Sequence, residues 1–128
     1  MGYEFFPMNQ SNGSSSTSPS LVLELHSSAK WRAHLQASKE STKLIVIDFT
    51  ASWCRPCRFI EPTINEFAAK YTDVKFFKID VDELMNVAQE FEVQTLPSFV
   101  LIKGGIAVDK IVGVKKEELQ NKIERHMV

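Results

Sequence analysis

The sequence predicts a single α/β domain, a five-stranded mixed sheet flanked by four helices. Two observations carry this. From Leu21 onward, strand-like runs alternate with helical periodicities in the order βαβαβαββα. The last two strands are divided only by Gly104-Gly105, too short a link for a parallel crossover, so parallel and antiparallel neighbours share one sheet. A chain of 128 residues, 44% apolar and 24% charged, has room for one sizeable core and not for a second domain.

The elements follow in order. Leu21, Leu23 and Leu25 alternate with Val22 and Glu24 as a short strand. Ser27 or Ser28 can cap a helix that carries Trp31 and Leu35 on one face. Residues 44–49 are nearly all apolar and β-branched, as in a central strand covered on both faces. Residues 54 to about 70 suit a helix turning Phe59, Ile60, Ile64 and Phe67 inward, with a kink expected at Pro62. Residues 74–81 form the next strand, and Asp82 can cap a helix burying Leu84, Val87, Ala88 and Phe91. Residues 98–102 and 106–112 make a hairpin around Gly104-Gly105. A final helix turns Leu119 and Ile123 toward the core.

The first twenty residues differ from the rest. Their only charge is Glu4, and seven of the twelve residues 9–20 are Ser or Thr. Such a stretch cannot offset its ordering entropy by burial, so residues 1–20 are expected to be a disordered extension and 21–128 the folded domain. The extension lacks the features of a secretory or mitochondrial leader. Gly2 is open to acylation beside the apolar Tyr3, Phe5, Phe6 and Met8, although Phe6 stands where the myristoylation pattern wants Ser or Thr. With a net charge of -1 and no basic cluster, no nucleic-acid partner is expected. No apolar run approaches the ~20 residues of a membrane span.

The only two cysteines stand as Cys54 and Cys57, two residues apart. A secreted, stapled fold would use more cysteines to close longer loops, so a cytoplasmic setting is expected. A zinc site would need further ligands, and His26, His34 and His126 show no ligand spacing; no bound metal is expected. A redox dithiol fits better. At a strand-to-helix junction the first cysteine meets the unpaired N–H groups of the helix N-terminus, which favour its thiolate, and the second lies one turn along, more shielded. Pro56 near the first helical turn costs no hydrogen bond.

The segment Phe49-Thr50-Ala51-Ser52-Trp53-Cys54-Arg55-Pro56-Cys57-Arg58 closely resembles the active-site segment of the thioredoxin family. Asp48 before it and Thr95-Leu96-Pro97-Ser98-Phe99 after it also match, and the likeness runs from about Leu21 to the C-terminus. Asp80-Val81-Asp82-Glu83-Leu84 and Val112-Gly113 look most like the plant h-type branch.

The resemblance implies the thioredoxin fold and protein-disulfide reductase activity in cell redox homeostasis. Cys54 would be the nucleophile, Cys57 the resolving thiol, and Asp48 a buried acid exchanging a proton with Cys57 through water. Trp53 would cover one side of the site. Pro97 would follow a cis peptide bond, with the Leu96 backbone left to pair with an extended substrate, and Val112-Gly113 would floor the groove. No bound cofactor is implied; electrons would come from NADPH through thioredoxin reductase, and a monomer is expected. Disulfide-containing proteins would be the targets.

Arg55 departs from the family, which usually has Gly there, less often Pro. A nearby cation favours the Cys54 thiolate by roughly 0.5 kcal/mol once solvent screening is included. That makes the disulfide more oxidising, so a somewhat weaker reductant is expected. Arg55 also encourages an alternative, recycling by glutathione or glutaredoxin, or isomerase activity. A non-catalytic binding module or holdase is the third reading.

Overall fold

The structure, a computed structural model, describes residues 21–128. The expectations for residues 1–20, a disordered extension and an acylated Gly2, lie outside the described residues.

Strands β1 (Val22–Leu25), β2 (Ile45–Thr50), β3 (Lys75–Asp80), β4 (Ser98–Lys103) and β5 (Ile106–Val112) form one sheet in the order β1-β3-β2-β4-β5. The pairs β1/β3 and β3/β2 are parallel, while β2/β4 and β4/β5 are antiparallel. Helices α1 (Ser28–Ser38), α2 (Arg55–Lys70), α3 (Met85–Glu90) and α4 (Lys116–His126) complete the fold. The expected five-stranded mixed sheet with four helices is what the described residues form.

Two apolar clusters sandwich the sheet. On one side Val46, Phe76, Phe99 and Leu101 pack with Ile60 and Ile64 of α2 and Leu119 and Ile123 of α4. On the other, Ile47, Phe49, Phe77, Ile79 and Val100 pack with Trp31 of α1 and Val87 of α3. Each such side chain removed from water stabilises the fold by roughly 1.5–3 kcal/mol. The period-2 alternation of β2 sends Val46 to the first cluster and Ile47 and Phe49 to the second. By the same alternation Asp48 faces α2. That placement is what makes the fold matter for chemistry.

Local expectations fare unevenly. Ser27 is the N-cap of α1, its hydroxyl accepting from the Lys30 amide at 3.0 Å. Phe59, expected to face the core, is instead 77% exposed. The buried stripe of α2 runs through Cys57, Ile60, Ile64, Phe67 and Ala68, and at 100° per residue Phe59 falls on the far side. Pro62 lies inside α2 without dividing it. Asp82 does not cap α3: the N-cap position is Leu84, with no side-chain cap. Asp82 is drawn instead into a bond with Trp53.

Candidate active site

β2 ends at Thr50 and a short loop delivers the chain to α2, whose N-cap is Cys54. Its extended backbone (φ -88°, ψ 107°) aims Sγ across the opening turn, where it accepts a hydrogen bond from the Cys57 amide at 3.2 Å. One of the four orphan N–H groups of a helix start is thereby satisfied by sulfur. Pro56, in the first turn, sacrifices no helical bond. Cys54 and Cys57 are joined as a disulfide, their Cα atoms 5.3 Å apart.

The two cysteines are equally buried, 4% and 5% exposed, so Cys57 is not the more shielded by area. Ala51 packs against both from below, with Val81 and Leu96 alongside. The asymmetry is one of direction. Cys54 lines an open cavity of about 570 Å³ with Trp53, Arg55, Pro56, Val81, Val93, Gln94 and Leu96, and Cys57 does not.

Trp53 is 65% exposed, so it is no core aromatic; its indole N–H donates to an Asp82 carboxylate oxygen at 2.8 Å. The Leu96–Pro97 peptide bond is cis, and Pro97 is buried where it leads into β4, an interior strand. Gly113, at φ +92°, donates its amide to the Pro97 carbonyl at 2.8 Å. The left-handed backbone calls for glycine there; a Cβ would meet nothing within 4 Å. Val112, exposed, and Gly113 do not line the cavity at Cys54, and the space above them is open.

The two arginines beside the cysteines differ. Arg58 is tethered, donating to the Ser52 carbonyl at 2.6 Å. Arg55 is exposed, lines the cavity and has no side-chain hydrogen bond or ion pair among the described residues.

Asp48 is 4% exposed and its Oδ1 has no hydrogen-bond partner among the described residues. Burial pushes its carboxyl up from the ordinary 3.8 to about 7; the positive charge of Lys78 opposes that rise and the negative charge of Glu61 adds to it. It lines a second cavity of about 270 Å³ beneath α2 with Val22, Glu24, Glu61, Ile64, Asn65 and Lys78. The Lys78 ammonium lies 2.9 Å from Glu61 and 4.0 Å from Glu24. Glu24, Glu61 and Lys78 escape sequence reasoning, as does the bond between Asp82 and Trp53. The available signals were a lysine inside an apolar strand and a glutamate one turn after Cys57, on the same helix face.

Among the described residues no group of three His, Cys, Asp or Glu side chains could hold a metal ion. None of their helices is long and apolar enough to cross a membrane.

Comparison with known proteins agrees with this geometry. The family model Thioredoxin matches residues 22–125. Thioredoxin H2 of Arabidopsis thaliana is 53% identical over 107 residues, covering 84% of this chain and 80% of that protein. Thioredoxin H-type of Brassica oleracea is 56% identical over 105 residues, covering 82% and 85%. The crystal structure of thioredoxin NaTrxh from Nicotiana alata superposes with a TM-score of 0.85 at 55% identity, covering 90% of this chain and all of that one. With the cysteine pair at the head of α2 and the acid beneath it, the chain belongs to the thioredoxin family and is most similar to its plant h-type members.

Proposed function

We propose that this thiol–disulfide oxidoreductase reduces disulfides of target proteins through Cys54, with Cys57 resolving and Asp48 handling the proton. One observation carries the reading: of the two linked sulfurs, the one at the helix N-cap is the one that faces an open, largely apolar cavity. In the reduced protein the Cys54 thiolate, favoured by the helix N-terminus and the Cys57 amide, attacks one sulfur of a target disulfide. The target S–S bond breaks, a mixed disulfide forms, and the first target sulfur leaves as a thiolate that takes a proton from water. Cys57 then gives its proton through water to Asp48 and attacks Cys54 Sγ. The second target thiolate leaves, and two electrons have passed from the dithiol to the target.

The remaining roles follow from position. Val81, Val93 and Leu96 offer an apolar bed, and Trp53, held by Asp82, forms one wall. The Leu96 backbone and the open space over Gly113 suit an extended peptide. The protein holds no cofactor of its own in this scheme. An NADPH-dependent thioredoxin reductase, acting in the cytoplasm, returns the disulfide to the dithiol, and the monomer serves cellular redox homeostasis. Arg55 supports a second recycling route: its unpaired guanidinium beside Cys54 can attract the carboxylates of glutathione. Supplying either reductant system alone separates the two.

Insulin reduction is the test. The wild type should turn over while Cys54→Ser falls to the uncatalysed rate. A wild type no faster than the mutant would leave a thioredoxin-fold binding module.

A further inference from the structure

Beneath the cysteines a polar row crosses the sheet. Glu24 of β1 and Lys78 of β3 are register partners, and so are Lys78 and Asp48 of β2. Glu61 of α2 closes the row from above, in the cavity that all four line. On β4 the register partner of Asp48 is the apolar Phe99. The charged groups lining the cavity around Asp48 are thus Lys78, Glu61 and Glu24, one from each of three elements.

Lys78 stands next to a buried carboxylate, yet its ammonium does not bond to it. It lies 2.9 Å from Glu61, toward the half-exposed rim, and Asp48 Oδ1 is left without a partner. Leaving a buried polar atom without a partner is unfavourable, so a stronger attraction must hold the lysine elsewhere. Glu61 does so at small cost, because its own head remains half in water. Burial works against the charge on Lys78, but the hydrogen bond and charge of Glu61 raise its pKa overall, so it stays a fixed cation.

We propose that Glu61 is a positioning residue that holds the Lys78 ammonium at the mouth of the cavity and so keeps it from pairing directly with Asp48, leaving the buried carboxyl able both to take and to return the Cys57 proton. The cavity far exceeds the ~30 Å³ share of one water molecule and has polar groups to hold several, a medium for that exchange. The role rests on the reductase reading for its purpose, but not for its electrostatics. Removing the Glu61 charge acts twice in the same direction: a repulsion is lost, and Lys78 is freed to pair with Asp48. An opposite charge brought within about 4–6 Å lowers a carboxyl pKa by roughly 1–3 units.

The experiment follows the Asp48 carboxyl by carbon-13 NMR titration in the full-length reduced protein, beside the pH profile of target release from the mixed disulfide. Glu61→Gln should move both midpoints to lower pH by about one unit or more, with slower release on the alkaline plateau because Asp48 is then a weaker base for the Cys57 proton. Lys78→Met should move them the opposite way, and Glu24→Gln should move them less than Glu61→Gln. An unchanged or alkaline-shifted Asp48 titration in Glu61→Gln overturns the proposal, even where thermal stability changes. Because the titration needs no turnover, it judges Glu61 even if the wild type reduces no disulfide, an outcome that would sink the reductase reading instead.

Discussion

The cavity at Cys54 and the cavity at Asp48 are built on opposite terms. The outer one, about 570 Å³, is walled by Trp53, Val81, Val93 and Leu96 and carries, among the described residues, a single cation, Arg55, with no side-chain hydrogen bond or ion pair. The inner one, about 270 Å³, is lined by four charged or ionisable side chains, and its one cation is committed to Glu61 and Glu24. The outer cavity exposes Cys54 to whatever docks there. The inner one gives Asp48 a polar pocket whose rim, at Glu24 and Glu61, is half in water. The difference separates two tasks that disulfide exchange must perform at nearly the same place. On the proposed reading, electrons leave through the apolar outer surface and protons move through the polar inner one.

The largest effect that could break this division belongs to the inner cavity. The native Asp48 carboxyl keeps its proton up to about pH 7, whereas the unfolded chain releases it near 3.8. Between those values the native state binds more protons, so this group's contribution to stability falls as pH rises. A gap of about three units corresponds to about 4 kcal/mol. Asp48→Asn should therefore gain on the wild type between pH 4 and 8 by an amount of that order, in denaturant titrations at each pH. It should also slow release of the target from the mixed disulfide. A difference that is flat with pH would mean that Asp48 is not the buried acid described.

A smaller effect sharpens the outer side. Arg55 is unpaired while Arg58 is held by the Ser52 carbonyl, so only Arg55 is free to turn toward a thiolate or a ligand. Arg55→Gly should make the protein a stronger reductant by about 10 mV, in equilibrium with a glutathione or dithiothreitol couple. The sign is the informative part. Equal potentials would confine Arg55 to contacts with partners, and a less negative value in the variant would contradict the electrostatic effect.

How much of this was legible in the chain depends on whether the cause was local. The alternation of strands and helices could be read because each apolar stripe is written over adjacent residues. Ser27 was readable as a cap for the same reason. The cysteine pair announced itself by spacing and by its Trp and Pro neighbours. Asp82 carries an equally local capping signal, but the indole of Trp53, 29 residues away, competes for its carboxylate and wins. Phe59 shows the limit of periodicity: an apolar side chain next to a stripe need not belong to it. The inner cavity was legible only as Asp48. Glu24, Glu61 and Lys78 meet through parallel register and helix docking, with 17 residues separating even the bonded pair, and no window of sequence contains that relation.

The central claim is that the outer cavity presents one sulfur and not the other. Trapping tests it most directly, by incubating Cys57→Ser and Cys54→Ser with oxidised insulin and resolving the products without reductant. Cys57→Ser should accumulate a mixed disulfide through Cys54, and Cys54→Ser should accumulate little or none. Equal trapping by the two variants, or trapping by Cys54→Ser alone, would contradict the assignment of Cys54 as the sulfur that meets the target.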